Sequence, residues 1–508
     1  MAPMEPIRLQ FHDLGLLAPE LTLVAAAVIL SLLDLLLPRQ SNRTWLGWLS
    51  LISIALSAVF IVMYQLNPVE PRQLLAFSYR IDDFASVLKL ILLAGAGLIT
   101  FMSIGSINER EIPHVGEYYY LLLPATLGGM IMASSGDLIT LFVGLELLSI
   151  TSYILVAMRK KHLQSNEGAF KYLVLGGVSS GLILYGMSFL YGMTGTTIIP
   201  QLSAMLEQGG EGLQPMMYLS FFLILAGFGF KVAASPFHTW APDVYQGAPT
   251  PVTAFLAVVS KAAAFAILFR VMYTVFASPG MMGMPIHNDF LLALMVVAAA
   301  AMIVGNFTAL RQTNLKRLLA YSGIANTGYL LIPIAVQFTI VHFSNFAEFT
   351  FYLIAYLFMN VGMFAMLMIV ERSGGSEELK SFAGLYYRAP GLAIATVLLV
   401  LSLAGLPLSG GFFGKLYILL GTMQTQHYWL GAIMIVTSVV SFYYYFGLIR
   451  QMFMRSDDEA GPLRPTLPLS ITVWLCAGIG VLLGLYPQGV LAYLERIFSI
   501  SQDLFMFS

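Results

Sequence analysis

The stretch Ala226-Gly-Phe-Gly-Phe-Lys231-Val-Ala-Ala-Ser-Pro236 sets a lysine deep in an apolar run and ends that run on a proline. The composition around it agrees with a membrane setting. Of 508 residues, 58% are hydrophobic and only 10% charged, with mean hydropathy +0.82, whereas soluble domains carry about 25% charged residues. An ammonium at mid-bilayer costs roughly 2.5–3.5 kcal/mol on insertion scales, so Lys231 needs a reason to be there. Glu146, Lys261 and Lys415 lie at similar depth in other apolar runs. Four such groups read as a charged track through the membrane, which a device moving protons or ions requires. Lipid leaves backbone groups no water to bond, so apolar runs of about 20 residues read as helices. The chain is an all-α polytopic membrane protein by this reading.

Several function classes drop out. A net charge of −1 excludes a nucleic-acid binder of the basic-patch kind. Cys476 is the only cysteine, which rules out intrachain disulfides and cysteine-ligated iron–sulfur clusters, each needing about four such ligands. No G-x-G-x-x-G occurs. Gly410-Gly-Phe-Phe-Gly-Lys415-Leu416 has Ser409 and Leu416 where a phosphate loop needs Gly and Ser/Thr. No cofactor or metal site is expected in this chain, and its 27 methionines, 25 tyrosines and 35 phenylalanines need none. The first 15 residues lack the basic start of a cleavable signal, so the first span is expected to be retained.

Apolar runs give about fourteen spans, at 16–37, 45–65, 84–105, 118–134, 138–158, 169–193, 217–233, 250–276, 290–310, 317–340, 347–370, 389–424, 427–449 and 467–487. With the N-terminus outside, fifteen basic residues from Arg39 to Arg464 fall in loops on the cytoplasmic-type side, against Arg8, Arg72, Arg80 and Arg496 opposite. This bias follows the positive-inside rule and puts both termini on the lumenal or periplasmic side. Two spans are broken, the seventh at Ser235-Pro236 and the twelfth at Gly405-Leu-Pro-Leu-Ser-Gly-Gly411. Paired breaks in two halves point to inverted repeats around a midplane site. The broken spans are five apart and so run in opposite directions, which fits inverted five-helix repeats over spans 4–8 and 9–13. The expected division is three N-terminal spans (1–117), a first repeat (118–276), a second repeat (277–453) and a last span with its tail (454–508).

Each charge has a structural alternative. A lysine can snorkel, but Lys231, about fourteen residues into its span, reaches the interface poorly. Lys261 sits among small residues in Val258-Val-Ser-Lys261-Ala-Ala-Ala-Phe265, and Lys415 follows the second break. Glu146 must be neutral or paired, and Lys231 is the expected partner. For Lys171, near its span's start, snorkelling and function weigh equally. Lys89 and Arg270 read as interface anchors, Glu20, Asp34 and Asp243 as structural, and His238 as a cap for carbonyls freed by the break.

In their order, Gly144-Leu-Glu146-Leu, Phe230-Lys231, Ser235-Pro-Phe-His-Thr-Trp-Ala-Pro-Asp-Val-Tyr-Gln-Gly-Ala-Pro-Thr-Pro-Val252, Leu315-Lys-Arg-Leu-Leu-Ala-Tyr-Ser322 and Gly405-Leu-Pro-Leu-Ser-Gly-Gly-Phe-Phe-Gly-Lys415 resemble the antiporter-like membrane subunits of respiratory complex I. Within them the chain is most similar to subunit 2, in particular the cyanobacterial and plastid form of NAD(P)H (or ferredoxin):plastoquinone oxidoreductase. The resemblance implies a proton-translocating subunit of a proton-pumping oxidoreductase. Glu146, Lys231, Lys261 and Lys415 would transfer the protons, with Lys171 near the mouth of the channel. Quinone, flavin and iron–sulfur clusters would lie in partner subunits, among them sister antiporter-like chains. It also implies a thylakoid membrane, with a bacterial plasma membrane as the alternative. A multi-chain cation/proton antiporter subunit is the rival function. Many relatives carry a histidine where this chain has Asn326, so a proton passing there needs water, or Tyr321 and Ser322.

Overall fold

The computed structural model describes residues 11–38, 41–66, 72–107, 112–208, 211–278, 285–336, 344–454, 462–498 and 503. Arg8, Arg39, Arg110 and Arg455, counted in the charge bias, lie outside the described residues.

The chain opens with a short α1 (Phe11–Leu16) and the long α2 (Ala18–Leu36) and α3 (Thr44–Leu66). A two-stranded antiparallel hairpin follows, β1 (Arg72–Leu74) against β2 (Tyr79–Ile81) in the register Arg72↔Ile81. Next come α4 (Asp83–Ser103), α5 (Val115–Ala133), α6 (Leu138–Val156), α7 (Leu163–Thr194) and the short α8 (Ile199–Gln208). The first broken span is α9 (Gln214–Lys231) followed by α10 (Ala241–Gly247). A continuous helix over Thr250–Phe276 consists of α11 (Thr250–Phe255) and α12 (Lys261–Val271), with π-helical turns at Leu256–Ser260 and Met272–Phe276. The second half holds α13 (Pro285–Ala309), α14 (Leu315–Ala335), α15 (Asn345–Arg372), the one-turn α16 (Leu385–Arg388), the broken pair α17 (Pro390–Ala404) and α18 (Gly410–Gln424), and α19 (Tyr428–Met454). It closes with α20 (Leu467–Leu485) and α21 (Pro487–Ile497).

Helices occupy every segment expected to span. Among the described residues, 11 helices are long and apolar enough to cross a membrane. Helices α5, α9 and α17 fall outside that set: α17 has only 15 residues, and α5 carries Glu117 and Pro124. Local sequence sets the helix starts. Asp82, Asp137, Asn314 and Ser409 each cap an N-terminus by accepting from the backbone N–H three residues on, satisfying a donor the helix cannot use.

The two halves repeat one packing scheme. Helix α5 packs on α6 and α12, as α13 packs on α14 and α19; α7 packs on α9 and α10, as α15 packs on α17 and α18. Inside a membrane such contacts rest on close backbone approach. A Cβ on Gly128 would lie 2.6 Å from the Leu148 nitrogen, and one on Gly305 2.5 Å from the Ala325 nitrogen. Glycine at these crossings seats α6 on α5 and α14 on α13. The helix over Thr250–Phe276, with α14 and α15, forms the buried centre, while α2, α3, α7 and α19 present apolar faces outward.

Candidate functional site

Lys231 is the last residue of α9, where the helix gives way at Val232 and Ala233, the latter at φ +57. A non-glycine residue in this region is strained, and the break leaves helix carbonyls without intrahelical partners. The Trp240 indole donates to Phe230 O at 2.9 Å, and the Thr327 hydroxyl to Val232 O at 2.8 Å. Trp240 and Thr327 thus satisfy the carbonyls assigned above to His238, whose Nδ1 has no hydrogen-bond partner among the described residues. The Lys231 ammonium is buried and donates to Ser149 Oγ at 2.8 Å, with the Tyr153 and Phe230 rings each 5.9 Å away. Glu146 stands one turn before Ser149 on the same face of α6. It acts on Lys231 electrostatically, but no ion pair within 4 Å joins them. Its Oε1 makes no hydrogen bond among the described residues.

Lys261 begins α12 directly after the first π-helical turn, a distortion frequent at functional sites. Its ammonium donates to Gly323 O at 2.9 Å and Thr327 Oγ1 at 3.3 Å. Thr327 therefore touches both the backbone beside Lys231 and the Lys261 ammonium. Beyond it, α14 turns a polar stripe towards α13, α15 and α19. Asn326 Nδ2 donates to Ser322 O at 2.8 Å and Ser322 Oγ at 3.3 Å, and its Oδ1 accepts from Tyr352. Ser322 and Tyr445 share a hydroxyl–hydroxyl hydrogen bond. Tyr444 donates to Asn306 Oδ1 at 3.0 Å, and Asn306 Nδ2 to the Tyr329 hydroxyl at 3.3 Å.

Lys415 lies on α18 and reaches back across the second break. It donates to Leu403 O and Ala404 O, both at 3.1 Å, capping the freed C-terminal carbonyls of α17. The break is made by Gly405 at φ +81 and Leu408 at φ +70. The Tyr329 ring centroid is 5.0 Å from the Lys415 ammonium. The structure thus strings Lys231, Lys261 and Lys415 along one polar belt through the buried centre.

The other deep cations have carboxylate partners. Lys89 and Arg270, expected at an interface, are instead buried: Lys89 pairs with Glu20 at 2.8 Å and donates to Tyr79, and Arg270 pairs with Asp82 at 2.9 Å. Position within a span could not reveal these partners, because the acids arrive from remote segments. Lys171 pairs with Glu167 at 2.6 Å and Asp243 at 2.8 Å, and Asp243 also accepts from Arg317 at 2.7 Å. This half-exposed cluster ties α7 and α14 to α10, just past the first break. Lys316, read as a loop cation, is fully buried: it pairs with Glu377 at 2.6 Å and donates to Ala248 O at 3.1 Å. Burial alone would raise the Glu377 carboxyl. Lys316, with help from Asn314 and Arg159, outweighs this and holds it below the usual carboxylate value. No cluster suited to a metal ion occurs among the described residues.

A family model described as "NADH:quinone oxidoreductase/Mrp antiporter, TM" matches residues 135–441, which include all four track residues. The NADH-quinone oxidoreductase subunit N of Paenibacillus sp. (strain JDR-2) is 49% identical, over 99% of this chain and 99% of that protein. A chain of respiratory complex I from Thermus thermophilus superposes with TM-score 0.77 at 33% identity, covering 94% of this chain and 99% of the other. A chain of the Mrp complex from Dietzia sp. DQ12-45-1b shares the fold, with TM-score 0.82 at 18% identity over 98% of this chain and 99% of that one.

Proposed function

Because the chain belongs to the NADH:quinone oxidoreductase/Mrp antiporter membrane family, we propose that Glu146, Lys231, Lys261 and Lys415 are the proton-carrying groups through which it works. Its function is that of a proton-translocating membrane subunit of a complex I-type NADH-quinone oxidoreductase. The flavin, the iron–sulfur clusters and quinone chemistry belong to partner subunits, sister antiporter-like chains being among the neighbours in the membrane.

One observation carries the residue assignment. Among the described residues, Lys231, Lys261 and Lys415 are buried and bonded only to hydroxyls and carbonyls, while Lys89, Arg270, Lys316 and Lys171 each touch a carboxylate. Neutral acceptors compensate a buried ammonium poorly, so these three release and regain protons more readily than a paired cation. Glu146 and Ser149, one turn apart, offer Lys231 two resting places. Against Glu146 the ammonium is held; against Ser149, as here, it is free to pass its proton on. Thr327 joins the two sites physically, so the proton moves from Lys231 to Lys261 and then to Lys415. Lys171 and its carboxylates sit at the mouth, where α10 follows the break.

In this reading the chain crosses the membrane fourteen times, divides at residues 117, 276 and 453, and has both termini on the outer side. The relatives are bacterial and named for NADH and quinone, which favours a bacterial plasma membrane over the thylakoid, plastoquinone and NAD(P)H expected from the sequence.

The test is proton release per electron, with quinone reduction recorded alongside, in membranes carrying Lys231→Ala. Loss of pumping in an assembled complex is the expected result. Unchanged stoichiometry would make Lys231 structural. Sodium-dependent transport without quinone reductase activity would instead favour the antiporter reading.

A further inference from the structure

Away from the lysine belt, α3, α4, α15 and α21 enclose a cavity of about 320 Å³ whose walls are apolar except for Gln65 and Tyr493. The rings of Phe84, Phe346 and Phe498 meet where α4 and α15 begin and α21 has just ended. Their centroids are 5.2 Å apart for Phe84 and Phe346, and 4.2 Å for Phe346 and Phe498. These helix starts mark one face of the membrane. From there the groove descends along α4 from Val87 to Ala94, and along α15 as far as Phe358. At 1.5 Å per residue, Ala94 lies about 16 Å and Phe358 about 20 Å below the starts of their helices. Half the hydrocarbon core is about 15 Å, so the groove runs from the interface to mid-bilayer.

Its width decides what can fill it. Val87 to Ala94 covers about 10 Å of helix, and 320 Å³ spread over that length is a cross-section of roughly 30 Å². A helix 10–12 Å across needs roughly 80–110 Å², so a neighbouring helix does not fit. Any other backbone form would bring polar groups that apolar walls cannot satisfy. A single hydrocarbon chain brings none. A long isoprenoid tail would run on past mid-bilayer, where the groove ends.

The polar end suits the head of such a chain. Gln65 is the last residue but one of α3, and its Nε2 is buried with no hydrogen-bond partner among the described residues. A buried donor left unmade is costly, and the ester carbonyl that heads an acyl chain would accept from it. Tyr493 is exposed on α21, at the level where tyrosines gather at membrane interfaces. Arg496, beside Ile497 of the groove wall, flanks the same face of α21 and offers a cation to a phosphate. Glu495 is turned further from the groove and lies towards Glu348.

We propose that this groove binds a glycerophospholipid of the adjoining leaflet, with one acyl chain in the slot, its ester carbonyl on Gln65 and its phosphate at Arg496. The lipid packs between the end of α3 and α21, and holds α21 against α4 and α15.

The experiment uses the whole complex in nanodiscs containing phosphatidylethanolamine that carries a diazirine near the methyl end of one acyl chain. After irradiation the labelled peptides are mapped. Label concentrated at Ala94 and Phe358, above that on the outward residues Leu173 and Val439, is the expected result. Ala94 is exposed, so Ala94→Trp fills the deep end of the slot without disturbing the core, and should abolish that label. Gln65→Leu should lower it about threefold, the worth of one hydrogen bond. Arg496→Gln should weaken labelling by the phospholipid and leave labelling by a diazirine-bearing diacylglycerol unchanged. Equal labelling of the groove and of Leu173 and Val439 would mean an annular lipid only and overturn the site. So would label that excess quinone displaces, or a groove that takes label only once a neighbouring subunit is removed. If Ala94→Trp fails to assemble, the map of the parent complex and the Gln65 and Arg496 variants still decide the matter.

Discussion

Gly323→Ala asks whether the Lys261 ammonium must move to pass its proton on, and it does so without replacing a titratable group. The new methyl would stand 3.0 Å from the ammonium and 3.1 Å from the phenol. Both neighbours are the far ends of flexible side chains, so each gives way by a few tenths of an ångström. Alanine is favoured over glycine inside a helix by about 1 kcal/mol, which offsets that adjustment. Stability should therefore stay within about 1 kcal/mol of the parent. The Lys261 bond to Gly323 O survives, because that acceptor is backbone. What disappears is the freedom of the ammonium beside Gly323. A barrier higher by about 1.4 kcal/mol slows the step tenfold, and losing that freedom should cost about as much. The assay is NADH-driven acidification of proteoliposomes, normalised to assembled complex and compared with quinone reduction. Gly323→Ser, which adds a hydroxyl as a further acceptor for the ammonium, should recover part of the loss. An assembled Gly323→Ala complex that pumps within about twofold of the parent would refute that requirement.

Two further outcomes follow from the same contacts. In Gly405→Ala, a left-handed residue at φ +81 costs about 1–2 kcal/mol, and its Cβ would meet Lys415 Cδ at 2.9 Å. Thermal stability and pumping should both fall, and a variant normal in both would disprove the cap that Lys415 places on α17. Glu377 lies outside the spans and titrates below its ordinary value, so its pairing adds stability that is complete above the unfolded carboxylate value of about 4.3 and is lost as pH falls through the lowered folded value. The stability gap between the parent and Glu377→Gln should therefore close on acidification below that range, and a gap that stays constant would count against the pairing.

The legible part of this protein is the part that violates membrane energetics. Glu146, Lys231, Lys261 and Lys415 stand out because charge in an apolar run is costly, and the two breaks stand out because Pro236 and Pro407 remove a backbone donor and clash with the preceding turn. The connecting groups carry no such mark. Ser149 and Thr327 are ordinary residues of apolar spans, and only the packing that brings α6 to Lys231 and α14 to Lys261 gathers them. Lys231 illustrates the limit: its expected partner and its observed one lie a single turn apart on α6, a difference that helical periodicity cannot resolve.

Depth alone also failed to sort the cations. Lys89 and Arg270 looked peripheral and Lys316 looked like a loop residue, yet all three are buried. What separates them from the track is compensation: each has found a carboxylate, Arg270 across 188 residues of sequence, and a paired charge holds its proton. The three lysines without such a partner are strung along the one belt where hydroxyls and broken-helix carbonyls are the acceptors. A charge that is both buried and poorly compensated is expensive to keep and easy to discharge, and a proton carrier needs both properties at the same residue.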